Sequence, residues 1–444
     1  MYLKRDIDIT FTEWKNSEKR KPLLLRGARQ VGKTDSVRNL AKSFDHYIEI
    51  NFESDSKLAA IFEKDLKAER ICRELAAIFL IPITEGKTLL FLDEIQACTR
   101  AIQALRFFYE QKPGLHVIAA GSLIEFALQK IPTFGVGRIR SVFIYPLSFN
   151  EFLSAWGKDM ILDFKRKGSP ANSISSPVHD QLLEYQKMFM LTGGMPEVAA
   201  SYIEKGDIIE CRRVIDDLIY SYMADFAKYE NNFPADILKD IFDSVVDQTG
   251  GKFVYSKAGG SSHYLIKKGL DLLISAGVVI PVRHSSANGI PLGAQVNSKK
   301  QKMLILDTGI FLRILGLDMA EYFTSDDFQI INKGCLAEMF TGLELMKYRS
   351  PYEQRDLYYW HRESKSSNAE VDYVFSKNSR IFPVEVKAGT KGSMQSMNIF
   401  MREKGLSKGI RVSTENFSAY DNIEVYPLYA VENIVKDSLS FPKR

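Results

Sequence analysis

The sequence predicts a chain of the α/β class, with a phosphate-binding α/β domain first, helical segments and a small winged-helix unit after it, and a second α/β domain last. Three stretches carry this prediction. The apolar run "PLLLRG" leads into "GARQVGKT", Gly27 to Thr34, and then into helical spacing at Val37, Leu40 and Ala41. That is the strand, loop and helix setting of the G-x-x-x-x-G-K-[ST] pattern. A second strand-like run, "TLLFLDEIQ", ends in the adjacent acids Asp93 and Glu94. Beyond residue 355, "DLYYWHRES", "AEVDYVFSK" and "IFPVEVKAG" read as strands, with the charges of "PVEVKAG" falling on one face.

A chain of 444 residues exceeds one compact core and is expected to divide into about two to four domains. Hydrophobic residues at 45% and charged residues at 26% describe an ordinary globular composition. The longest apolar runs, Leu75 to Ile83 and Leu272 to Val282, fall short of the roughly 18 residues of a membrane span. No membrane partner is therefore expected. The start "MYLKRDIDIT" lacks the apolar core of a secretory signal, and Cys72, Cys98, Cys211 and Cys335 are scattered without metal-ligand spacing. A cytoplasmic protein with reduced thiols is the expectation. Net charge is only +4, yet residues 250–303 hold eight Lys or Arg against one Asp, a local +7 that points to one basic surface.

The first loop explains itself chemically. Gly27 and Gly32 let backbone N–H groups turn in around phosphates, Lys33 brings an ammonium to the terminal phosphates, and Thr34 offers a hydroxyl to Mg²⁺ at the positive end of a helix. Gly27, Ala28, Arg29, Gln30, Val31, Gly32, Lys33, Thr34 and Asp35 form the expected ATP-binding set. Asp93, ending its strand, is the expected second Mg²⁺ ligand, and Glu94 the group that polarises the attacking water. A ligase or kinase would use the same cradle, but the Asp93-Glu94 pair favours hydrolysis. A further strand, "HVIAAGS", ends at Ser122, a polar side chain placed to sense the γ-phosphate.

With "RGARQVGKT", "LDEIQ", the "GS" of Gly121 and Ser122, Gly137-Arg138 and "PLSFNEF" at Pro146 to Phe152, the chain resembles a bacterial and archaeal family of AAA-type P-loop ATPases. The resemblance implies an AAA-type domain over residues 1–158, Ser122 as sensor and Arg138 as an arginine finger, which if supplied in trans implies an oligomer; "FGVGRIR" by itself reads equally as a turn with a solvated arginine. A polar stretch at Asp163 to Pro177 reads as a surface loop. Residues 178–231, interrupted by "GGMP" at Gly193 to Pro196, read as a helical lid.

From Phe233 the pattern is helix, short helix, helix, then strand. Ser261 or Ser262 caps a helix with an apolar stripe of Tyr264, Leu265, Leu270, Leu273 and Ile274, and the following strands form a wing with a basic tip. A winged helix-turn-helix over residues 232–325 follows, to which the resemblance adds "LDTG" at Leu306 to Gly309. Lys267, Lys268, Arg283, Lys299, Lys300 and Lys302 are candidate phosphate contacts for double-stranded DNA, or a solvated face that packs on protein.

In residues 330–444, the spacing of Asp372 and Glu385 fits a hairpin that sets them side by side, able to share a divalent cation, with Lys387 toward water or a scissile phosphate. A cross-strand ion pair is the other reading. The trio resembles the PD-(D/E)xK nuclease superfamily, which implies a restriction-endonuclease-like α/β domain and makes Glu338 the helix-borne acid, although Val371 stands where that family's proline would be. The expected function is an ATP-hydrolysing, DNA-interacting protein that controls a nuclease-like module. The alternative is a nucleotide-dependent protein-interaction switch whose nuclease-like fold is catalytically silent.

Overall fold

The computed structural model describes residues 1–122, 124–129, 137–226, 233–317, 333–353, 356–362 and 368–437. Parts of the expected lid (227–231), of the winged unit (232 and 318–325) and of the last domain (330–332, 354–355, 363–367 and 438–444) lie outside the described residues. The chain forms two units. One comprises residues 1–146 with 275–277 and 350–354, and the other comprises 147–274, 278–349 and 355–444. Among the described residues no helix is long and apolar enough to cross a membrane. All four cysteines carry free thiols.

The first unit is built on five strands, β1 (Leu23–Arg26), β2 (His46–Asn51), β3 (Thr88–Asp93), β4 (His116–Ala120) and β5 (Arg140–Phe143), in the order β2-β3-β4-β1-β5. Every neighbouring pair is parallel. Parallel neighbours need crossovers, supplied by helices Lys33–Ala41, Ala68–Phe79, Thr99–Gln111 and Ile124–Gln129. Helices over a parallel sheet bury its strands, and β3 and β4 are buried at every residue. Leu24, Ile48, Ile50, Leu90, Leu92 and Ala119 meet Ile71, Leu75 and Leu105 in one apolar core. The chain leaves β1 for the far edge at β2, works back through β3 and β4, and crosses to β5 on β1's other side. The carboxyl end of β1 is therefore where connections diverge, the place at which open α/β sheets form their ligand crevice.

The second unit opens with helices Phe149–Ala155, Asp159–Lys167, Ser176–Thr192, Pro196–Lys205 and Ile208–Phe226. "PLSFNEF" proves to be an anchor. Ser148 and Glu151 form a capping box on Phe149–Ala155. The Phe149 amide donates to Glu344 at 3.0 Å, and Asn150 donates to Glu432. The polar stretch expected as a loop from Asp163 is helical as far as Lys167. Its Lys165, fully buried, meets Glu432 at 3.0 Å. "GGMP" and "LDTG" also meet. The buried Asp307 carboxylate caps helix Thr308–Ile314 through the amides of Gly309 (2.9 Å) and Ile310 (3.1 Å), and accepts from Gly194 at 2.6 Å.

Helices Ala235–Gln248 and His263–Ser275 lead into β6 (Val279–Ser285) and β7 (Val296–Ile305), an antiparallel hairpin. Ser262 accepts from the Leu265 amide at 3.4 Å at the helix start. The buried face differs from the predicted stripe. Ile266, Leu270, Leu272 and Leu273 are buried, whereas Tyr264 is 72% exposed.

The hairpin also departs from a free-standing wing. Strand β6 pairs in parallel with β8 (Leu357–His361). With β9 (Glu370–Lys377), β10 (Arg380–Val386), β11 (Gly409–Ser413), β12 (Ser418–Tyr420) and β13 (Ile423–Pro427), it belongs to one eight-stranded sheet of order β12-β13-β11-β10-β9-β8-β6-β7. The boundary expected between 325 and 330 is thus bridged by backbone hydrogen bonds. Between β9 and β10, Lys377 pairs with Arg380 around Asn378 and Ser379, at φ 47° and 59°. This is a two-residue turn of the kind that suits strand twist. The register that sets Tyr373 opposite Val384 brings Asp372 beside Glu385, as the hairpin spacing predicts.

Candidate functional site

The crevice at the carboxyl end of β1 is framed by residues following three strands. Gly27 to Gly32 turn from β1 into helix Lys33–Ala41, and the loop's conformation requires its glycines. Gly27 has φ 144°, and a Cβ there would strike the Ile144 carbonyl, while Gly32 has φ 89° at the helix N-cap. Gln30 also sits at positive φ, 61°. Arg5, which no local pattern singles out, braces the loop by donating to the carbonyls of Val31 (3.1 Å) and Tyr145 (2.8 Å). Arg29 lies 3.9 Å from Glu53, and Asp35 is exposed in the first helical turn, where a carboxylate suits the helix dipole.

Lys33 is 8% exposed, and its ammonium donates to the carbonyls of Gly27 (2.9 Å) and Ala28 (2.7 Å). Burial pushes its pKa down to about 8, against the pull of Glu94 and Asp93. The Thr34 hydroxyl donates to Asp93 at 2.9 Å. Burial raises the Asp93 carboxyl above its usual range, with the Thr34 bond pulling the other way. A hydroxyl and a carboxylate at the end of a phosphate loop are hard oxygen donors, so these two residues fit Mg²⁺.

Glu94 adopts φ 48° and ψ 42°, a left-handed conformation that costs a non-glycine residue on the order of 1 kcal/mol. Its carboxylate accepts from Gln96 at 2.6 Å and from Ser122 at 3.5 Å. The strained backbone, Gln96 and Ser122 together fix one oxygen of Glu94 beside the Thr34–Asp93 pair. Gly121 makes room for this, since a Cβ there would strike the Gln96 carboxamide oxygen. Gln96 lies in the quoted "LDEIQ", but its role as a brace on Glu94 is a structural finding. Arg138 lies at the surface, its Nε 2.9 Å from Glu110 on helix Thr99–Gln111.

The basic segment looks different once long-range partners are counted. Arg283 is paired with Asp356, Lys252 lies 3.6 Å from Glu370, and Lys302 is 1% exposed, which removes it as a phosphate contact. Lys267 and Lys299 are exposed.

Lys302 instead lies among the acids of the second unit. Its ammonium is 2.8 Å from Glu338, 2.5 Å from Glu370 and 3.8 Å from Asp372. These carboxylates outweigh the burial that opposes the charge and raise the Lys302 pKa. Glu338, buried, is pushed up to about 8, and burial also raises Asp372, whose Oδ2 accepts from the Val386 amide at 2.8 Å. Glu385 is pushed up to about 7 by burial and by Asp372, against Lys387 at 2.7 Å. One Glu385 oxygen has no hydrogen-bond partner among the described residues. Among those residues, no group of three or more His, Cys, Asp or Glu is arranged to hold a metal ion. At the expected cation site, Asp372 stands 3.8 Å from the Lys302 ammonium and Glu385 2.7 Å from that of Lys387.

A family model described as an AAA domain matches residues 19–153, and two described as domains of unknown function, DUF8612 and DUF4143, match 183–321 and 333–431. Residues 19–153 form an AAA-type P-loop domain. No curated protein matches the chain. Among solved structures, the Walker-type ATPase PABY2304 of Pyrococcus abyssi is similar at 14% identity and a TM-score of 0.45, over 71% of this chain and 96% of that one. The Aeropyrum pernix Orc1 protein, solved in complex with DNA, is similar at 11% identity and a TM-score of 0.30, over 71% of this chain and 93% of that one.

Proposed function

We propose that the protein binds and hydrolyses ATP at the carboxyl end of β1. The observation that carries this is the convergence of three strand ends: Lys33 in its loop, Thr34 bonded to Asp93, and Glu94 fixed by Gln96 and Ser122. Lys33 and the loop amides bind the phosphates. Thr34 and Asp93 would hold Mg²⁺, which supplies charge neutralisation on the phosphate oxygens. Glu94 takes the proton of the attacking water, and Ser122 reports on the γ-phosphate through the same carboxylate. Glu94→Gln keeps the shape and loses the base, so ATP binding persists while turnover falls by roughly 10²-fold or more. Lys33→Ala abolishes binding. A Glu94→Gln protein with full turnover would overturn the assignment. Arg138, at the surface, belongs to the same proposal as a finger offered to a neighbouring copy, tested by whether Arg138→Ala lowers turnover only at concentrations where chains associate.

The finer reading has the nucleotide state govern contact with double-stranded DNA through Lys267, Lys268, Lys299 and Lys300. Reversing Lys267 and Lys268 to Glu then weakens binding and flattens its salt dependence by nearly one unit of slope per phosphate lost. Unchanged affinity and slope would remove DNA from the reading. The second reading, a protein-interaction switch with a catalytically silent nuclease-like fold, is favoured by one observation, the Lys302 ammonium among Glu338, Glu370 and Asp372. ATPase rates with and without DNA separate the two.

A further inference from the structure

We infer that the Lys302 ammonium is the resident cation of the acid cluster in the eight-stranded sheet, standing in for a divalent ion and keeping one out. The cluster is assembled from three separate parts of the chain. Glu338 comes from helix Lys333–Lys347, Glu370 and Asp372 from β9, and Lys302 from β7, separated from β9 in the sheet by β8 and β6. The ammonium meets a carboxylate oxygen of Glu338 at 2.8 Å and of Glu370 at 2.5 Å, and Asp372 stands 3.8 Å away, at ion-pair range. It also lies 5.3 Å from the ring centroid of Tyr359 on β8, so its approach is lined on the remaining side by an aromatic face.

A divalent cation needs several oxygens turned toward it at roughly 2.0 to 2.6 Å. Here those oxygens already turn toward an ammonium, and a second, doubly charged ion beside it would be repelled at close range in a buried setting. The remaining acid, Glu385, is bonded to Lys387 at 2.7 Å, and Asp372 Oδ2 is taken by the Val386 amide at 2.8 Å. Glu338 and Glu370 are thus tied to Lys302, one Asp372 oxygen to the Val386 amide and one Glu385 oxygen to Lys387, which leaves the second Glu385 oxygen without a hydrogen-bond partner among the described residues. The lysine's second effect is mechanical, because it fastens the β6–β7 hairpin to the helix and strand that carry the acids. This deepens the second reading above, that of a silent nuclease-like fold, and it stands apart from ATP hydrolysis.

The test uses the full-length, nucleotide-free protein carrying Asp93→Asn, so that the P-loop pair does not bind the probe. Mn²⁺ is titrated by calorimetry and by water-proton relaxation. The expected result is no bound Mn²⁺ that a further Asp372→Asn removes. One Mn²⁺ per chain that disappears with Asp372→Asn would overturn the inference. Lys302→Met in the same background is expected to gain a Mn²⁺ that Asp372→Asn abolishes, and its melting temperature should rise when Mn²⁺ is added. A folded Lys302→Met protein that takes none, with a melting point indifferent to Mn²⁺, would overturn the assignment of Lys302 as the occupant. The first titration requires no change at Lys302, so it decides the matter even where that variant does not fold. DNA cleavage resting on this cluster would show itself as the Mn²⁺-binding outcome, whereas loss of ATPase activity would leave both titrations unchanged.

Discussion

Two lysines, Lys33 in the first unit and Lys302 in the second, are buried alike and charged to opposite ends. Among the described residues Lys33 meets the neutral carbonyls of Gly27 and Ala28 at hydrogen-bond distance, and burial drives its pKa down to about 8 against the pull of Glu94 and Asp93. Lys302 faces three carboxylates, and its pKa is raised. A buried cation bonded to neutral partners, with its acids further off, is suited to an anion arriving from outside. A buried cation ringed by acids is satisfied by the fold and has nothing left to offer a ligand.

The largest expected effect sets the two against each other in stability. Lys302→Ala strands the buried Glu338 and Asp372 without the Lys302 charge, leaving Glu370 only Lys252, and should cost about 3–5 kcal/mol in chemical denaturation. Lys33→Met removes a desolvated charge and should leave stability unchanged or improved. Equal losses would erase the distinction. The next effect is in pH. Lys33 is the group whose charge ATP requires, so affinity for a fluorescent ATP analogue should be flat below about pH 8, where the ammonium is intact. It should fall toward tenfold per pH unit above that value. Lys33→Arg, which does not deprotonate, should show no such fall. A wild-type curve flat to pH 9.5 would show that the carbonyl setting does not depress the lysine. The smallest effect is Gly121→Ala. Its Cβ would displace Gln96 and loosen Glu94, lowering turnover about tenfold with ATP affinity kept, a partial version of the Glu94→Gln loss.

What was legible in the sequence was what is local. Gly27 to Thr34 lie in one turn, Asp93 and Glu94 end one strand, Ser122 follows the next, and the Asp372–Glu385 hairpin closes over a two-residue turn. Each could be read from spacing because the backbone fixes neighbours over such distances. The cation that answers the acids could not. Lys302 belongs to a basic-looking segment, and its partners Glu338, Glu370 and Asp372 come from a helix and a strand further along the chain, so counting charge over 250–303 assigned to the surface a lysine that the fold buries. Arg283 with Asp356 and Lys165 with Glu432 are the same kind of pair. The pairing of β6 with β8 escaped for a related reason, since the hairpin's own pattern is the same whether its edge is open or paired. Tyr264 shows a smaller limit. It falls on the helical period, yet the packing of helix His263–Ser275 turns the neighbouring Ile266 inward instead.

The sheet that runs β8-β6-β7 bears on how the protein is dissected. A fragment beginning at Lys333, where the third family match starts, would lose β6 and β7 and open the flank of β8 to any strand that could pair with it, which invites aggregation. It would also part the three acids from Lys302. Such a fragment would be newly hungry for cations, so a metal requirement, or even nicking of DNA, observed in it would be an artefact of excision created by the scissors that made it.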